Sequence, residues 1–217
     1  MTKLSLSLFA ADILQMKEDL QQIRSSGITS LHVDIMDGHF VPLFGFNTIW
    51  LKQIKKEYPI SQDFHFMAYV TREMLKPYFA LKPIGITIHL EAGKKNENME
   101  ILQEIKNEGI QTGIAISPKS RCEEVLPYLD IVDEILVMSA LPGREDSLFL
   151  EDTYNRIQCI KKLTERNNKK ILLSADGGLD LSRGLSCIRC GIDRIIMGRA
   201  FFASSKKTEI IKTIVEG

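Results

Sequence analysis

Residues 30–58 read SLHVDIMDGHFVPLFGFNTIWLKQIKKEY and contain one complete repeat of a parallel α/β fold. An apolar run opens the repeat at residues 30–35, and a loop rich in Gly and Pro follows it. Residues 47–58 then place apolar side chains three and four positions apart, the period of a helix that buries one face. A short buried strand that leads through a loop into a helix is the unit of parallel sheets.

The same alternation recurs about eight times along the chain. The predicted strands are residues 4–9, 30–35, 62–67, 84–90, 111–116, 134–139, 171–175 and 194–198. The predicted helices lie near residues 12–25, 47–58, 71–79, 96–108, 121–128, 150–167, 181–189 and 206–215. Gly27, Gly109 and Gly191 each lie between a predicted helix and the next strand, where glycine commonly ends a helix.

The number of repeats predicts how the sheet is organised. Eight repeats in this chain leave ~27 residues for each, which favours a closed TIM (β/α)8 barrel over an open sheet with a second domain. The chain is therefore predicted to be a single barrel domain over residues 1–217. A doubly wound sheet is the alternative, but its Gly-x-Gly-x-x-Gly fingerprint does not follow the first predicted strand.

Composition and charge exclude several classes of protein. Lys plus Arg equal Asp plus Glu at 28 each, so nothing favours a nucleic-acid partner. No run of residues approaches the ~18 apolar positions of a membrane span, and the N-terminal apolar stretch lacks the pattern of a cleaved signal. We expect a cytoplasmic protein with no membrane or nucleic-acid partner.

The four cysteines are too few for a disulfide scaffold in a chain of this length. Cys187 and Cys190 form a C-x-x-C motif, which occurs in redox centres and zinc sites. We favour ordinary helix packing, because the motif precedes Gly191 at a helix end and no second Cys or His pair lies nearby.

Polar side chains occur where predicted strands end, which is where TIM barrels carry their active sites. The residues concerned are His32, Asp34 and Met36 on one face of the second strand, His65 and Met67 on one face of the third, and Asp176 after the seventh. A single histidine on an apolar strand is more often a hydrogen-bonded core residue than a ligand. Two imidazoles and two carboxylates together form a set suited to Zn²⁺, Fe²⁺, Mn²⁺ or Co²⁺, and the set does not choose among them.

The chain resembles the ribulose-phosphate 3-epimerases, which are barrels of the ribulose-phosphate-binding type. The matching stretches are residues 7–12 (SLFAAD), 32–42 (HVDIMDGHFVP), 63–67 (DFHFM), 89–91 (HLE), 137–138 (VM) and 175–179 (ADGGL). They run in order along nearly the whole chain, and HVDIMDGHFVP is highly specific. The resemblance implies an isomerase that inverts C3 of a ketose phosphate, ribulose 5-phosphate/xylulose 5-phosphate or a related sugar, with one divalent metal ion.

The resemblance also implies roles for individual residues. His32, Asp34, His65 and Asp176 would be the metal ligands, and Asp34 and Asp176 would also carry the protons. The implied substrate-binding residues are Ser7, Met36, His65, Met67, Met138, Gly143, Gly177, Gly178, Gly198 and Arg199. The three methionines would line the substrate or simply pack in the core. Ser7 would touch the substrate or cap the first helix, and His39 and His89 could each be a loop or core hydrogen-bonding residue.

Two loops depart from the pattern of the family. The family carries Asn-Pro-Gly-Phe-Gly-Gly-Gln after the sixth strand, whereas this chain has Leu-Pro-Gly-Arg-Glu-Asp-Ser at 141–147, with acids expected to repel a phosphate. Arg199 replaces a small hydroxyl residue and could pair with a phosphate.

These changes predict a divergent member of the family. The alternatives are an epimerase of a hexulose 6-phosphate such as allulose 6-phosphate, another enzyme of the phosphate-binding barrel group, and a non-catalytic sugar-phosphate-binding barrel. The resemblance implies a homo-oligomer, either a dimer or a hexamer.

Overall fold

Eight parallel strands close into a barrel in the computed structural model, which describes residues 4–28, 30–144 and 146–216. Each strand pairs with the next one along the chain, and β8 pairs with β1 to close the ring. The strands are β1 Leu4–Ser7, β2 Ser30–Met36, β3 Ser61–Met67, β4 Gly85–His89, β5 Gln111–Ile116, β6 Glu134–Met138, β7 Leu172–Asp176 and β8 Arg194–Met197. The predicted TIM (β/α)8 barrel is confirmed.

Helices connect the strands around the outside of this barrel. They are α1 Met16–Ser25, α2 Thr48–Glu57, α3 Arg72–Phe79, α4 Lys95–Asn107, α5 Thr153–Arg166, α6 Leu181–Cys190, α7 Arg199–Phe202 and α8 Lys207–Glu216. Side chains at the helix starts accept backbone N–H groups, as Asn47 does for α2 and Asp180 for α6. Gly191 ends α6 with a left-handed backbone, as predicted.

Three predicted elements differ in the structure. The first helix begins at Met16 rather than near residue 12, because the Asp12 carboxylate instead accepts the backbone N–H of Leu14 and closes a local turn. The first strand stops at Ser7, and the chain continues as a 3-10 helix, Leu8–Ala10. The segment predicted as a helix at 121–128 is also a 3-10 helix, Cys122–Tyr128.

The main hydrophobic core lies between the sheet and the helices. Val33 and Ile35 of β2 belong to it, whereas Met36 on the other face belongs to a separate apolar cluster with Val41 and Met67. The predicted division of β2 into two faces is therefore confirmed. Cys187 of α6 is buried in the main core, all four cysteines are free, and burial raises the pKa of Cys187 to about 12. This placement agrees with the packing interpretation of the C-x-x-C motif.

Buried charges lie together on three strands of the barrel, at β3, β6 and β8. Arg194 donates through Nη2 to both carboxylate oxygens of Glu134, at 2.6 and 2.7 Å, and its Nη1 lies 3.5 Å from Asp63 Oδ2. The Ser174 hydroxyl also donates to Glu134. Each of these charged side chains is about nine-tenths buried, so the barrel holds a compensated ionic layer beneath its polar rim.

The loop after β2 folds back against the end of its own strand. Asp37 and Phe44 form an antiparallel bridge, Gly45 N–H donates to the Met36 carbonyl at 3.2 Å, and Phe46 N–H donates to the Asp34 carbonyl at 3.1 Å. A Cβ atom at Gly45 would lie 2.2 Å from the Asp34 carbonyl oxygen, so only glycine permits this approach. The loop thus fixes the end of the strand that carries Asp34.

No helix in the described ranges is both long enough and apolar enough to cross a lipid bilayer.

Candidate metal centre and active site

Strand register brings the predicted ligands together at one end of the barrel. β2 and β3 pair so that Asp34 lies opposite His65 and Met36 lies opposite Met67. Asp176 is the last residue of β7 and reaches the same rim. One donor atom from each of His32, Asp34, His65 and Asp176 lies within 4.8 Å of the others, so the group could hold a metal ion. The four side chains therefore converge in the structure, as predicted.

The inner atoms of this group lack hydrogen-bond partners. His65 Nδ1 lies 3.3 Å from Asp34 Oδ1 and 3.9 Å from Asp176 Oδ2, and His32 Nε2 lies 3.5 Å from Asp34 Oδ1. Within the described residues, His32 Nε2, Asp34 Oδ1 and His65 Nδ1 are buried and form no hydrogen bond. A buried polar atom left unpaired costs about 1 to 3 kcal/mol. A divalent cation would satisfy all three at once, so these residues fit a metal centre.

The outer atoms of two of these side chains are held by neighbours. His32 Nδ1 lies 2.5 Å from Asp63 Oδ1, and the Ser7 hydroxyl donates to Asp34 Oδ2 at 2.7 Å. Such partners orient metal ligands in proteins. Ser7 forms no side-chain capping bond to the 3-10 helix that follows it, so the capping alternative is wrong.

Burial and neighbouring charges shift the pKa values of the two carboxyl groups in opposite directions. Burial alone would raise the pKa of Asp34, but the adjacent rings of His32 and His65 hold it well below its usual range. Burial and then the charge of Asp34 raise the pKa of Asp176 to about 7. Burial opposes protonation of His32, yet Asp63 and Asp34 raise its pKa well above the usual value. A bound cation would favour the ionised carboxylates and the neutral imidazole.

A cavity of about 390 Å³ opens above this group and has the size of a small-molecule site. The predicted site residues among its lining are Ser7, Asp34, Met36, Met67, Met138, Gly143, Asp176, Gly177, Gly178, Gly198 and Arg199. His32 and His65 lie beneath it and are buried. The cavity therefore joins the candidate metal centre to the loops in which a substrate phosphate was expected.

The loop after β7 packs tightly against the loop after β6. Gly177 has φ +117°, and a Cβ atom there would lie 2.7 Å from the Ala140 backbone nitrogen. The Ser139 hydroxyl donates to the Gly177 carbonyl at 2.6 Å. A glycine is therefore required at 177 for the two loops to meet, and this requirement is independent of any substrate.

The divergent loop at 141–147 places one positively charged side chain, Arg144, at the cavity wall. Leu141, Gly143, Arg144 and Ser147 line the cavity, whereas Asp146 is exposed and is not part of the lining. Glu145 lies outside the described residues. Asp146 therefore does not reach the cavity wall, and the expected repulsion of a phosphate stays a prediction. Arg199, the first residue of α7, lies near this loop and donates to the Ser147 carbonyl at 3.4 Å.

Sequence reasoning missed a second group of polar residues around the centre. Asp63, which contacts His32, was not assigned a role, and its position opposite His32 becomes visible only with the β2–β3 register. His65 Nε2 lies 3.0 Å from His89 Nε2, and His89 Nδ1 lies 3.1 Å from Glu91 Oε2. The other uncertain histidine, His39, is exposed in the loop after β2.

Comparisons with known proteins find similar proteins along nearly the whole chain. The model of the ribulose-phosphate 3 epimerase family matches residues 3–202. Ribulose-phosphate 3-epimerase of Chlamydia trachomatis is 30% identical over 198 residues, 90% of this chain and 84% of the relative. That of Helicobacter pylori is 30% identical over 215 residues, 99% of this chain and 95% of the relative. The cytoplasmic isoform of rice is 26% identical over 221 residues, again 99% and 95%.

These relatives are named as epimerases, which are enzymes of the isomerase class. The family model and two of these relatives each cover most of the barrel, including the strands that carry His32, Asp34, His65 and Asp176. The chain therefore belongs to the ribulose-phosphate 3 epimerase family.

Proposed function

We propose that this enzyme inverts C3 of a ketose phosphate, with ribulose 5-phosphate and xylulose 5-phosphate as the leading pair. One observation carries the proposal, namely the convergence of two imidazoles and two carboxylates, with unpartnered buried atoms, at the floor of a sugar-sized cavity. The names of the relatives support the choice of a pentulose phosphate.

The proposed ligands of the metal are His32 Nε2, Asp34, His65 Nδ1 and Asp176. When bound, a divalent cation such as Zn²⁺, Fe²⁺, Mn²⁺ or Co²⁺ supplies a Lewis acid for the vicinal oxygens of the substrate. The mixed nitrogen and oxygen donors support any of these ions.

Asp34 and Asp176 are the proposed proton carriers. They project into the same cavity from β2 and β7, so one can remove the C3 proton while the other returns a proton to the opposite face. Ser7 holds the outer oxygen of Asp34 and thereby fixes the direction of the carboxylate. Met36, Met67 and Met138 are buried at the cavity wall, where they pack and also keep water from the reacting carbon.

The proposed phosphate subsite lies at the loops after β6, β7 and β8. Gly143, Gly177, Gly178 and Gly198 bring backbone close to the cavity, and Arg199 supplies a guanidinium that can pair with phosphate oxygens. Arg144 lines the same side of the proposed subsite and adds a second positive charge. In this proposal, guanidinium groups bind the phosphate that backbone N–H groups would bind in a glycine-rich loop.

The test is proton exchange in deuterated water, followed by NMR at C3 of ribulose 5-phosphate. The metal-loaded protein should remove the C3 proton signal, and Asp176→Asn should abolish the exchange while circular dichroism shows an unchanged fold. Asp146→Asn is the matched control, because that carboxylate lies outside the cavity lining. Full turnover by Asp176→Asn would show that the two-base mechanism is wrong.

A hexulose 6-phosphate such as allulose 6-phosphate is the second candidate substrate. The observation that favours it is the altered loop at 141–147, which lines the cavity with Leu141 and Arg144. The same exchange assay with both sugars ranks them by kcat/KM. A barrel that only binds sugar phosphates would show binding to both and exchange with neither.

The proposal places the enzyme in the cytoplasm as a homo-oligomer, a dimer or a hexamer. A cytoplasmic isoform named among the relatives supports the location. Apolar side chains exposed at Leu14, Phe44 and Ile49 support self-association. Light scattering after size-exclusion chromatography would give the number of subunits, and a monomer at micromolar concentration would contradict the oligomer.

A further inference from the structure

A line of buried contacts runs outward from the candidate metal centre through His65. The rings of His65 and His89 stack with centroids 5.0 Å apart, and their Nε2 atoms are 3.0 Å apart. His89 Nδ1 faces Glu91 Oε2 at 3.1 Å. Both histidines are completely buried, and Phe40 packs against His89 with ring centroids 4.9 Å apart.

The outer end of this line is fixed in place. Glu91 Oε1 accepts the Ser117 backbone N–H at 2.7 Å and the Ser120 hydroxyl at 2.5 Å. Arg156 in turn donates to the carbonyls of Ser117 and Ser120, at 2.8 and 2.7 Å. Burial would raise the pKa of Glu91, but the contacts with His89, Ser120 and Ser117 lower it. Glu91 is therefore a carboxylate whose Oε2 is held toward His89.

The positions of the protons along this line follow from donor and acceptor rules. A carboxylate only accepts, so His89 Nδ1 must carry a proton and donate it. A neutral imidazole has a single N–H, so His89 Nε2 is left as an acceptor, and His65 Nε2 must be the donor between the two rings. His65 Nδ1 then has a free lone pair. An imidazole that binds a metal is neutral, as this arrangement requires of His65.

We propose that His89 and Glu91 are positioning residues that hold His65 in the tautomer whose Nδ1 can bind the metal. The inference rests on the metal centre of the proposed function. In the other tautomer, Nδ1 carries the proton and points it at Asp34 Oδ1, which lies 3.3 Å away. That proton would keep a metal ion from binding Nδ1. The hydrogen bonds that run from His65 through His89 to Glu91 disfavour this tautomer.

The other imidazole of the centre, His32, is oriented without an intervening histidine. His32 Nδ1 contacts Asp63 directly, so Nε2 is the nitrogen that faces the other ligands. Each imidazole is thus oriented by a carboxylate outside the metal centre, one directly and one through His89. Changes to such partners typically lower metal affinity roughly 10- to 100-fold.

The first experiment measures the tautomer in the wild-type protein with its metal removed. Long-range proton–nitrogen NMR of the labelled histidines distinguishes Nε2–H from Nδ1–H. We expect the Nε2–H form for His65 and the Nδ1–H form for His89. An Nδ1–H form of His65 would overturn the proposal, and this result needs no variant, metal or substrate.

The second experiment measures Zn²⁺ and Mn²⁺ affinity by competition with a chelator. His89→Phe keeps a stacked ring but removes the acceptor, and should weaken binding about 10- to 100-fold. His89→Gln, whose amide oxygen can accept from His65 Nε2, should recover most of that loss. His39→Phe removes an exposed histidine and should change nothing.

The two experiments also separate this inference from the proposed function. Unchanged metal affinity in His89→Phe would overturn the inference and leave the enzyme proposal intact. Failure of the wild-type protein to bind either metal would instead contradict the metal centre itself. If His89→Phe does not fold, the wild-type NMR measurement still decides the question.

Discussion

Replacing Arg194 by methionine tests the buried ionic layer of the barrel. The guanidinium makes two hydrogen bonds to Glu134 and lies 3.5 Å from Asp63, and all three side chains are almost completely buried. Among the described residues, Arg194 is the one cationic side chain that forms an ion pair with Glu134, so Arg194→Met removes that cation while the Ser174 hydroxyl remains. Asp63 keeps its contacts with His32 and Ser5.

The size of the effect follows from the loss of one partner of a buried ion pair. Leaving a carboxylate buried without its cation costs about 3 to 5 kcal/mol. For a chain of this length, each kcal/mol lowers the melting temperature by about 2 to 4 °C, so the expected decrease is roughly 6 to 20 °C. The double variant Arg194→Met/Glu134→Met removes both charges and should recover most of the lost stability, because apolar replacements of buried ion pairs are often neutral.

Urea denaturation and thermal unfolding of the single and double variants measure these differences. Arg72→Met is the matched control, since Arg72 is 57% exposed where it pairs with Glu104 on the surface. Its loss should cost at most about 1 kcal/mol. The reasoning is refuted if Arg194→Met is as stable as the wild-type protein, or if the double variant is as unstable as the single one.

Three further predictions concern the site and a buried thiol. The pKa of Asp176 is raised from 3.8 to about 7, so the folded metal-free protein holds this proton more tightly than the unfolded chain does. In EDTA, the free energy of unfolding of the wild-type protein should therefore decrease as the pH rises from about 4 to 7. Relative to Asp176→Asn, the decrease should be at most about 4 kcal/mol. Parallel pH profiles of melting temperature for the two proteins would contradict this. Arg199→Ala should raise KM for the sugar phosphate roughly 10- to 100-fold with little change in kcat, since a charged hydrogen bond contributes about 1.5 to 3 kcal/mol. Steady-state kinetics beside Arg72→Ala measure it, and an unchanged KM would remove Arg199 from the phosphate subsite. Burial raises the pKa of Cys187 to about 12, so iodoacetamide at pH 8 should leave this thiol unmodified in the native protein. Mass spectrometry detects the modification, and labelling at the rate of a free thiol would show that Cys187 is accessible.

The fold was predictable because the apolar runs report directly which strands are buried. The residues at which helices and strands begin and end were harder to predict, since they depend on local competition for hydrogen bonds. Asp12 shows this, because its carboxylate closes a turn and delays the first helix to Met16. Pro127 lies inside the segment Cys122–Tyr128, which forms a 3-10 helix where an α-helix was predicted.

The convergence of the four proposed ligands was predictable in the same way, because strand ends meet at one rim of a barrel. Their supporting residues were not, since a contact such as Asp63 with His32 depends on the register between two strands. The pairing of Arg194 with Glu134 joins residues 60 positions apart, which no local pattern reveals. The place of Arg144 in the cavity wall depends on the path of a loop.

The close approach of Gly45 to the Asp34 carbonyl has a consequence for protein engineering. Libraries that aim to change substrate range can diversify positions 39–43, which lie between the two arms of this folded-back loop. Any side chain introduced at 45 would displace the backbone of Asp34. In an activity screen, variants at 45 would then look like variants that have lost a catalytic group, although Gly45 does not line the cavity.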